Sequence, residues 1–131
     1  MPIQIGLKGR AETVVTTQNT AAAIGSGLVP VFATPMMIAL MESASVTALS
    51  GQLEEGNGTV GTALTITHDA ATPIGMRVWA EAEVTAVDGK AIGFTVRCYD
   101  EAGQIGGGTH QRFVITTDRF LAKAQQRKNR Q

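Results

Sequence analysis

Glu42 stands where a carboxylate is hard to accommodate. It interrupts the apolar run IALMESASVTAL, with Ile38, Ser45 and Leu49 as neighbours at helical spacing. A carboxylate on the border of a buried stripe is costly unless it is paired or used. His68 raises the same question on a strand, since in TVGTALTITH it alternates onto one face with Val60, Leu64 and Ile66. Thr34 opens the helix whose second turn presents Glu42. A hydroxyl, a carboxylate and an imidazole are the groups that nucleophilic and general acid–base chemistry employs. Taken singly, each also has a structural reading: a cap, a snorkelling glutamate, a core histidine. Thr34 and Glu42 are eight residues apart, about 12 Å along a regular helix. Direct contact between them requires the chain before Pro35 to fold back, or a second subunit to supply one group.

One helix must carry two of the three residues. Thr34 suits an N-cap, and Pro35 suits the first helical position, where its missing amide hydrogen would be unpaired anyway. Met37, Met41, Ala44 and Ala48 follow helical spacing, with Ile38, Leu40 and Leu49 widening the apolar face. Gly51 is the expected stop, giving a helix of about 16 residues, roughly 24 Å long. Residues 18–33 (QNTAAAIGSGLVPVFA) show no period, and Gly25-Ser26-Gly27 reads as a hinge. A segment of that kind beside a candidate site is expected to be a lid or disordered. Leu28, Phe32, Met36 and Met37 would give such a site an adaptable apolar wall.

The rest of the chain reads as antiparallel sheet. IQIGL and TVVTT predict one bent N-terminal strand or two short ones. Residues 59–68 form a strand, and in 76–87 Val78, Ala80, Ala82, Val84 and Ala86 alternate against Arg77, Trp79, Glu81 and Glu83. Asp88-Gly89 is a two-residue hairpin turn. Residues 91–99 follow, with Ile92, Phe94, Val96 and Cys98 on one face, and a last strand ends near Thr117. The tail from Asp118 is expected to be partly helical and frayed. Gly106-Gly107-Gly108 precedes no helix, so it predicts a backbone bulge rather than a phosphate cradle. One long, early helix against such strands is an α+β arrangement in two layers, with the whole chain, 1–131, as a single domain.

Composition narrows the classes. The chain has 131 residues, 11 basic and 11 acidic, one cysteine and 5% aromatic residues. Residues 119–131 hold five of the basic side chains and no acid. The neutral total therefore divides into an acidic body of net −5 and a basic tail of +5. A lone Cys98 excludes a disulfide framework, and two histidines with one cysteine disfavour a zinc site. The longest apolar stretch, 29–41, contains Pro30, Thr34 and Pro35 and is no membrane span. No secretory signal is visible, so the cytoplasm is the expected location. Nucleic-acid binding lacks a basic stripe outside the tail and aromatics for stacking.

Three long segments carry a resemblance: VFATPMMIALMESASVTAL, GTALTITHDAATPIG and IGGGTHQRFVITTDRFLAKAQQRK. They resemble the fluoroacetyl-CoA thioesterase family of hotdog-fold proteins, over residues 29 to about 128. The resemblance implies a curved antiparallel sheet wrapped around one central helix. It also implies homodimers, or dimers of dimers, with active sites at the subunit interface and no cofactor beyond the CoA of the substrate. Carried over by motif, the catalytic threonine, glutamate and histidine fall on Thr34, Glu42 and His68. Gly61 falls on a glycine lining the acyl pocket, and Arg112 on an arginine near the substrate. On this basis Glu42 is expected to attack the thioester or activate water, and His68 to transfer protons. Thr34 is expected to orient Glu42 or the substrate by a hydrogen bond, and amides near Gly61 to stabilise the oxyanion. The lid differs: Leu28 stands where the specialised enzymes place a key phenylalanine, and Gly25 replaces another. The expected activity is hydrolysis of a short or small acyl-CoA without strong fluoroacetyl selectivity. The competing reading is an acyl-CoA binding module of the same fold that does not turn over.

Overall fold

The computed structural model describes residues 3–130. The alternating segments become β1 (Lys8–Val14), β2 (Asn57–His68), β3 (Arg77–Asp88), β4 (Ala91–Asp100) and β5 (Gly103–Thr116). The helices are α1 (Ala21–Ile24), α2 (Thr34–Ala48) and α3 (Thr117–Lys128). All pairings are antiparallel, and the five strands lie in the order β1-β3-β4-β5-β2. The α+β hotdog architecture is therefore present, with α2 as its central helix. Only one N-terminal strand forms, and IQIGL lies outside it. No helix among the described residues is long and apolar enough to cross a membrane.

The core lies between α2 and the sheet. Met37, Met41, Ala44 and Ala48 face Val78, Ala80, Ala82 and Val84 of β3 and Ile92, Phe94, Val96 and Cys98 of β4, all buried. Burying a side chain the size of Met41 contributes about 1.5–3 kcal/mol. Small residues let the layers approach closely. A Cβ on Gly9 of β1 would run into the Ala44 carbonyl and the Ala48 backbone. The helix covers β1, β3 and β4 and leaves β2 at an open edge of the sheet.

Two bulges decide which side chains face the helix. A shift between Gly61 and Ala63 pairs Gly61 with Arg112 but Leu64 with His110. One extra residue reverses the alternation. Leu64, Ile66 and His68 therefore share the inner face with Gly61, while Val60 turns outward opposite Phe113. The expected common face of Val60 and His68 is thus corrected. A second shift, between Val84 and Ala86, likewise turns Ala86 away from the face of Val78–Val84. Strict period-two reading cannot see an inserted residue. The register shift in β4–β5 pairs Cys98 with Gly106 and Tyr99 with Gln104, so it falls at Ile105, beside the glycine run rather than within it.

The helix boundaries differ slightly from expectation. The α2 helix has 15 residues, its N-cap is Ala33 without a side-chain hydrogen bond, and Leu49 closes it before Gly51. Thr34 is thus the first helical residue rather than the cap, which frees its hydroxyl. Residues 18–33 are ordered rather than irregular. A 3-10 turn (Thr17–Asn19) and α1 occupy the segment, Thr16 and Thr20 cap them, and Thr20 bridges to Phe32. The tail is helical throughout α3, starting one residue before Asp118, with no buried residue; Gln131 lies outside the described residues.

Candidate active site

Thr34 and His68 meet at one end of α2. The Thr34 hydroxyl oxygen lies 2.7 Å from His68 Nδ1. Local structure fixes both partners. The amide of Ala33 donates to the Asn19 carbonyl at 3.0 Å, and the amide of Phe32 donates to the Thr72 carbonyl at 2.9 Å. Beyond the end of β2, the amides of Asp69 and Ala70 both donate to the Ile105 carbonyl, at 2.6 and 3.2 Å. Buried Thr72 donates to Asp100 Oδ2 at 2.7 Å, tying that loop to the β4–β5 turn.

With its proton on Nε2, His68 accepts the Thr34 hydroxyl hydrogen at Nδ1, the polarity of a nucleophile and its base. Burial, the largest influence, holds the His68 pKa below the ordinary histidine value, with the Ala70 backbone and the Asp69 charge pulling the other way. The neutral imidazole is thereby favoured. His68 Nε2 is buried and has no hydrogen-bond partner among the described residues. An open cleft of about 400 Å³ adjoins the pair, lined by Ser26, Gly27, Val29, Phe32, Thr34 and His68 among others.

Glu42 belongs to a second constellation. Arg112 Nη1 donates to Glu42 Oε2 at 3.0 Å, Nε donates to Thr59 Oγ1 at 3.0 Å, and Nη2 donates to the Thr59 carbonyl at 3.1 Å. His110 Nδ1 lies 2.9 Å from the Ala63 carbonyl, which can only accept, so that nitrogen carries the proton. Its Nε2 then accepts from Arg112 Nη1 at 3.2 Å. Burial chiefly lowers the His110 pKa, and the Arg112 charge adds to it, while the Ala63 backbone and Glu42 oppose. The Arg112 side chain is 7% exposed and that of Glu42 40%, so a buried cation aims a solvent-accessible carboxylate. Gly61 makes room for this arrangement. A Cβ there would stand 2.5 Å from Glu42 Oε2, 3.2 Å from His110 and 3.3 Å from Arg112.

The sequence-predicted residues thus divide into two groups. Thr34 and His68 form one, and Glu42, Gly61 and Arg112 the other, with Thr34 bonded to His68 and not to Glu42. Phe32 backs the Thr34 cleft from the core, at 1% exposure, whereas Leu28 is 96% exposed and absent from the lining. Sequence reading missed His110. Its signal was the two-residue spacing from Arg112 on the inward face of β5. Cys98 supplies no nucleophile: burial chiefly pushes its thiol up to about 12. No group of three or more potential metal ligands occurs among the described residues.

Comparison with known proteins identifies the family. The fluoroacetyl-CoA-specific thioesterase family matches residues 15–118. The chain belongs to that family. A fluoroacetyl-CoA thioesterase of Streptantibioticus cattleyicolor is 45% identical over 97 residues, 74% of this chain and 70% of that protein. The solved fluoroacetyl-CoA thioesterase FlK superposes with a TM-score of 0.90 at 36% identity, covering 96% of this chain and 98% of FlK. A Thermus thermophilus thioesterase superfamily member reaches the same TM-score, 0.90, at 32% identity, covering 98% of this chain and 96% of the other. Membership in the fluoroacetyl-CoA-specific thioesterase family makes this protein a thioester hydrolase with the hotdog fold.

Proposed function

We propose that the chain hydrolyses a short or small acyl-CoA thioester to the free acid and CoA, at a site built by two copies and without strong fluoroacetyl selectivity. The 2.7 Å contact between Thr34 and His68 carries this reading. Thr34 Oγ attacks the thioester carbonyl carbon while His68 Nδ1 takes the hydroxyl proton. The C–S bond then breaks, and the CoA thiolate leaves with that proton. Water cleaves the resulting acyl-threonine ester, the Glu42 carboxylate accepting its proton and returning it to the Thr34 oxygen. Of the two roles expected for Glu42, attack or activation of water, this scheme keeps the second and gives the attack to Thr34, a choice supported by the Thr34–His68 and Glu42–Arg112 hydrogen bonds.

The separate partners of Thr34 and Glu42 support a site shared by two copies. Thr34 and Glu42 lie on one face-to-end path of about 12 Å along α2, and each is bonded to a different partner. Strand β2 bears both Gly61 and His68 and is a 12-residue open edge. Such edges are normally covered or paired. A second copy continuing the sheet along β2 brings its Glu42 toward Thr34 and His68 of the first. Selectivity follows from the lid: Leu28 is exposed and adds no ring to the cleft, whose aromatic lining is Phe32, held in the core at 1% exposure.

The test is thiol release from acetyl-, propionyl- and fluoroacetyl-CoA. Thr34→Ala, His68→Ala and Glu42→Ala should each lower kcat by about 10²-fold or more, while Thr34→Ser retains part of it. Wild-type rates in these variants, or a preference of orders of magnitude for fluoroacetyl-CoA over acetyl-CoA, would overturn the reading.

A further inference from the structure

The basic tail has a place in the fold that the hydrolytic site does not use. Helix α3 starts where the Thr117 amide donates to the Gly56 carbonyl at 3.0 Å, then runs over the outer face of β5. Between helix and strand lie two adjoining hollows of about 290 and 490 Å³ that share Phe113, Ile115, Phe120 and Lys123. Phe113 and Phe120 are 41% and 40% exposed. The rim is cationic, with Lys90 and Arg119 on one side and Arg127 and Arg130 on the other. None of these cations forms an ion pair among the described residues.

We propose that this cleft holds the nucleotide end of the CoA thioester, with adenine against Phe113 and Phe120 and the phosphates among Lys123, Arg127 and Arg130. The proposal rests on the thioesterase reading above. Charge selects the occupant: the body carries net −5 and this tail +5, so an anionic substrate is attracted here and repelled elsewhere. Chemistry selects it too, because aromatic faces beside cations suit a base attached to phosphates. Position agrees. Asn57, opposite Thr116 at the root of α3, is four residues from Gly61 along β2, about 13 Å at ~3.3 Å per residue. A pantetheine arm bridges such a gap by passing the Asn57 end of β2, which leaves the strand's edge to the second copy. The cleft then serves the composite site to which its own chain contributes Glu42.

The test compares acetyl-CoA with S-acetyl-pantetheine, which lacks the nucleotide, and uses adenosine 3′,5′-bisphosphate as the probe of the cleft. The intact protein should prefer acetyl-CoA by at least tenfold in kcat/KM, in a salt-sensitive manner. Lys123→Glu with Arg127→Glu, and more mildly the paired Gln variants, should bring the two substrates close to parity by lowering only the acetyl-CoA value. The probe should inhibit the intact protein competitively and the charge-reversed variant at least tenfold more weakly, with Phe120→Ala intermediate. An unchanged substrate ratio in the variants, or no competition by the probe, overturns the proposal. A change of sedimentation coefficient with an unchanged ratio also overturns it, assigning the cleft to a contact between copies. If neither thioester is hydrolysed, the enzymatic reading fails instead, and calorimetric binding of the probe still decides whether the cleft takes a nucleotide.

Discussion

His110 is the side chain that aims the Glu42 half of the site. It is 3% exposed, stacks on Phe94 at 6.0 Å between ring centroids, and offers Arg112 a neutral acceptor. His110→Phe keeps the stacking and removes the acceptor. It should lower stability by about 1–3 kcal/mol and reduce kcat by loosening Arg112, as measured by urea denaturation and steady-state thiol release. His68 adds a pH signature. Its pKa lies below the ordinary value, chiefly through burial, and the proposed mechanism uses its neutral form. The kcat/KM plateau should therefore persist below about pH 6.5 before falling as His68 protonates. Stability has the same sign. The unfolded chain binds protons on both histidines more readily, so their contribution is present above about 6.5 and is lost as pH falls toward the lower folded values. Thr34, Glu42 and His68 were legible as polar residues in apolar company. His110 was marked only by its two-residue spacing from Arg112, because a histidine between Thr109 and Gln111 has nothing apolar around it until β4 and β5 pair.

At the scale of elements, bulges and close approaches govern what faces the site. The inserted residue near Thr62 in β2 rotates Gly61 inward, and only then can it stand beside Glu42 and Arg112. Periodicity located α2 and four of the strands to within a few residues, since alternation and helical spacing are local. It misassigned Val60 and Ala86, whose faces depend on register with a partner strand. The contact between Gly9 and α2 is equally non-local. Gly9→Ala must push the helix off β1, because the obstruction is backbone rather than a movable side chain. Overpacking of this kind costs typically about 1–3 kcal/mol. A clear fall in Tm by calorimetry is expected, whereas Gly58→Ala, which meets only side-chain atoms at 3.4 Å or more, should be mild by comparison.

At the scale of the molecule, the decisive question is how the two half-sites meet. If partner copies supply them, mixing inactive Thr34→Ala with inactive Glu42→Ala should regenerate activity, since each mixed dimer contains one site with both residues intact. A site contained in one chain would stay inactive on mixing. The check is thiol release after the two variants are unfolded and refolded together, with each variant refolded alone as control. The open edge of β2 makes the same point physically: a row of unpaired backbone groups beside His68 favours a second strand there.

The amino-acid sequence by itself determined the α+β class, the long early helix, the hairpins and the three chemically unusual side chains. Helical spacing, turn chemistry and the cost of burying polar groups act over a few residues and can be read from them. Only the tertiary structure decided that Thr34 bonds His68 while Glu42 bonds Arg112, because those partners are 34 and 70 residues apart. It also decided that the basic tail lies beside Phe113. Distances of that kind depend on register, on a single inserted residue and on how closely a helix can approach glycine, and none of these is a local property of the chain.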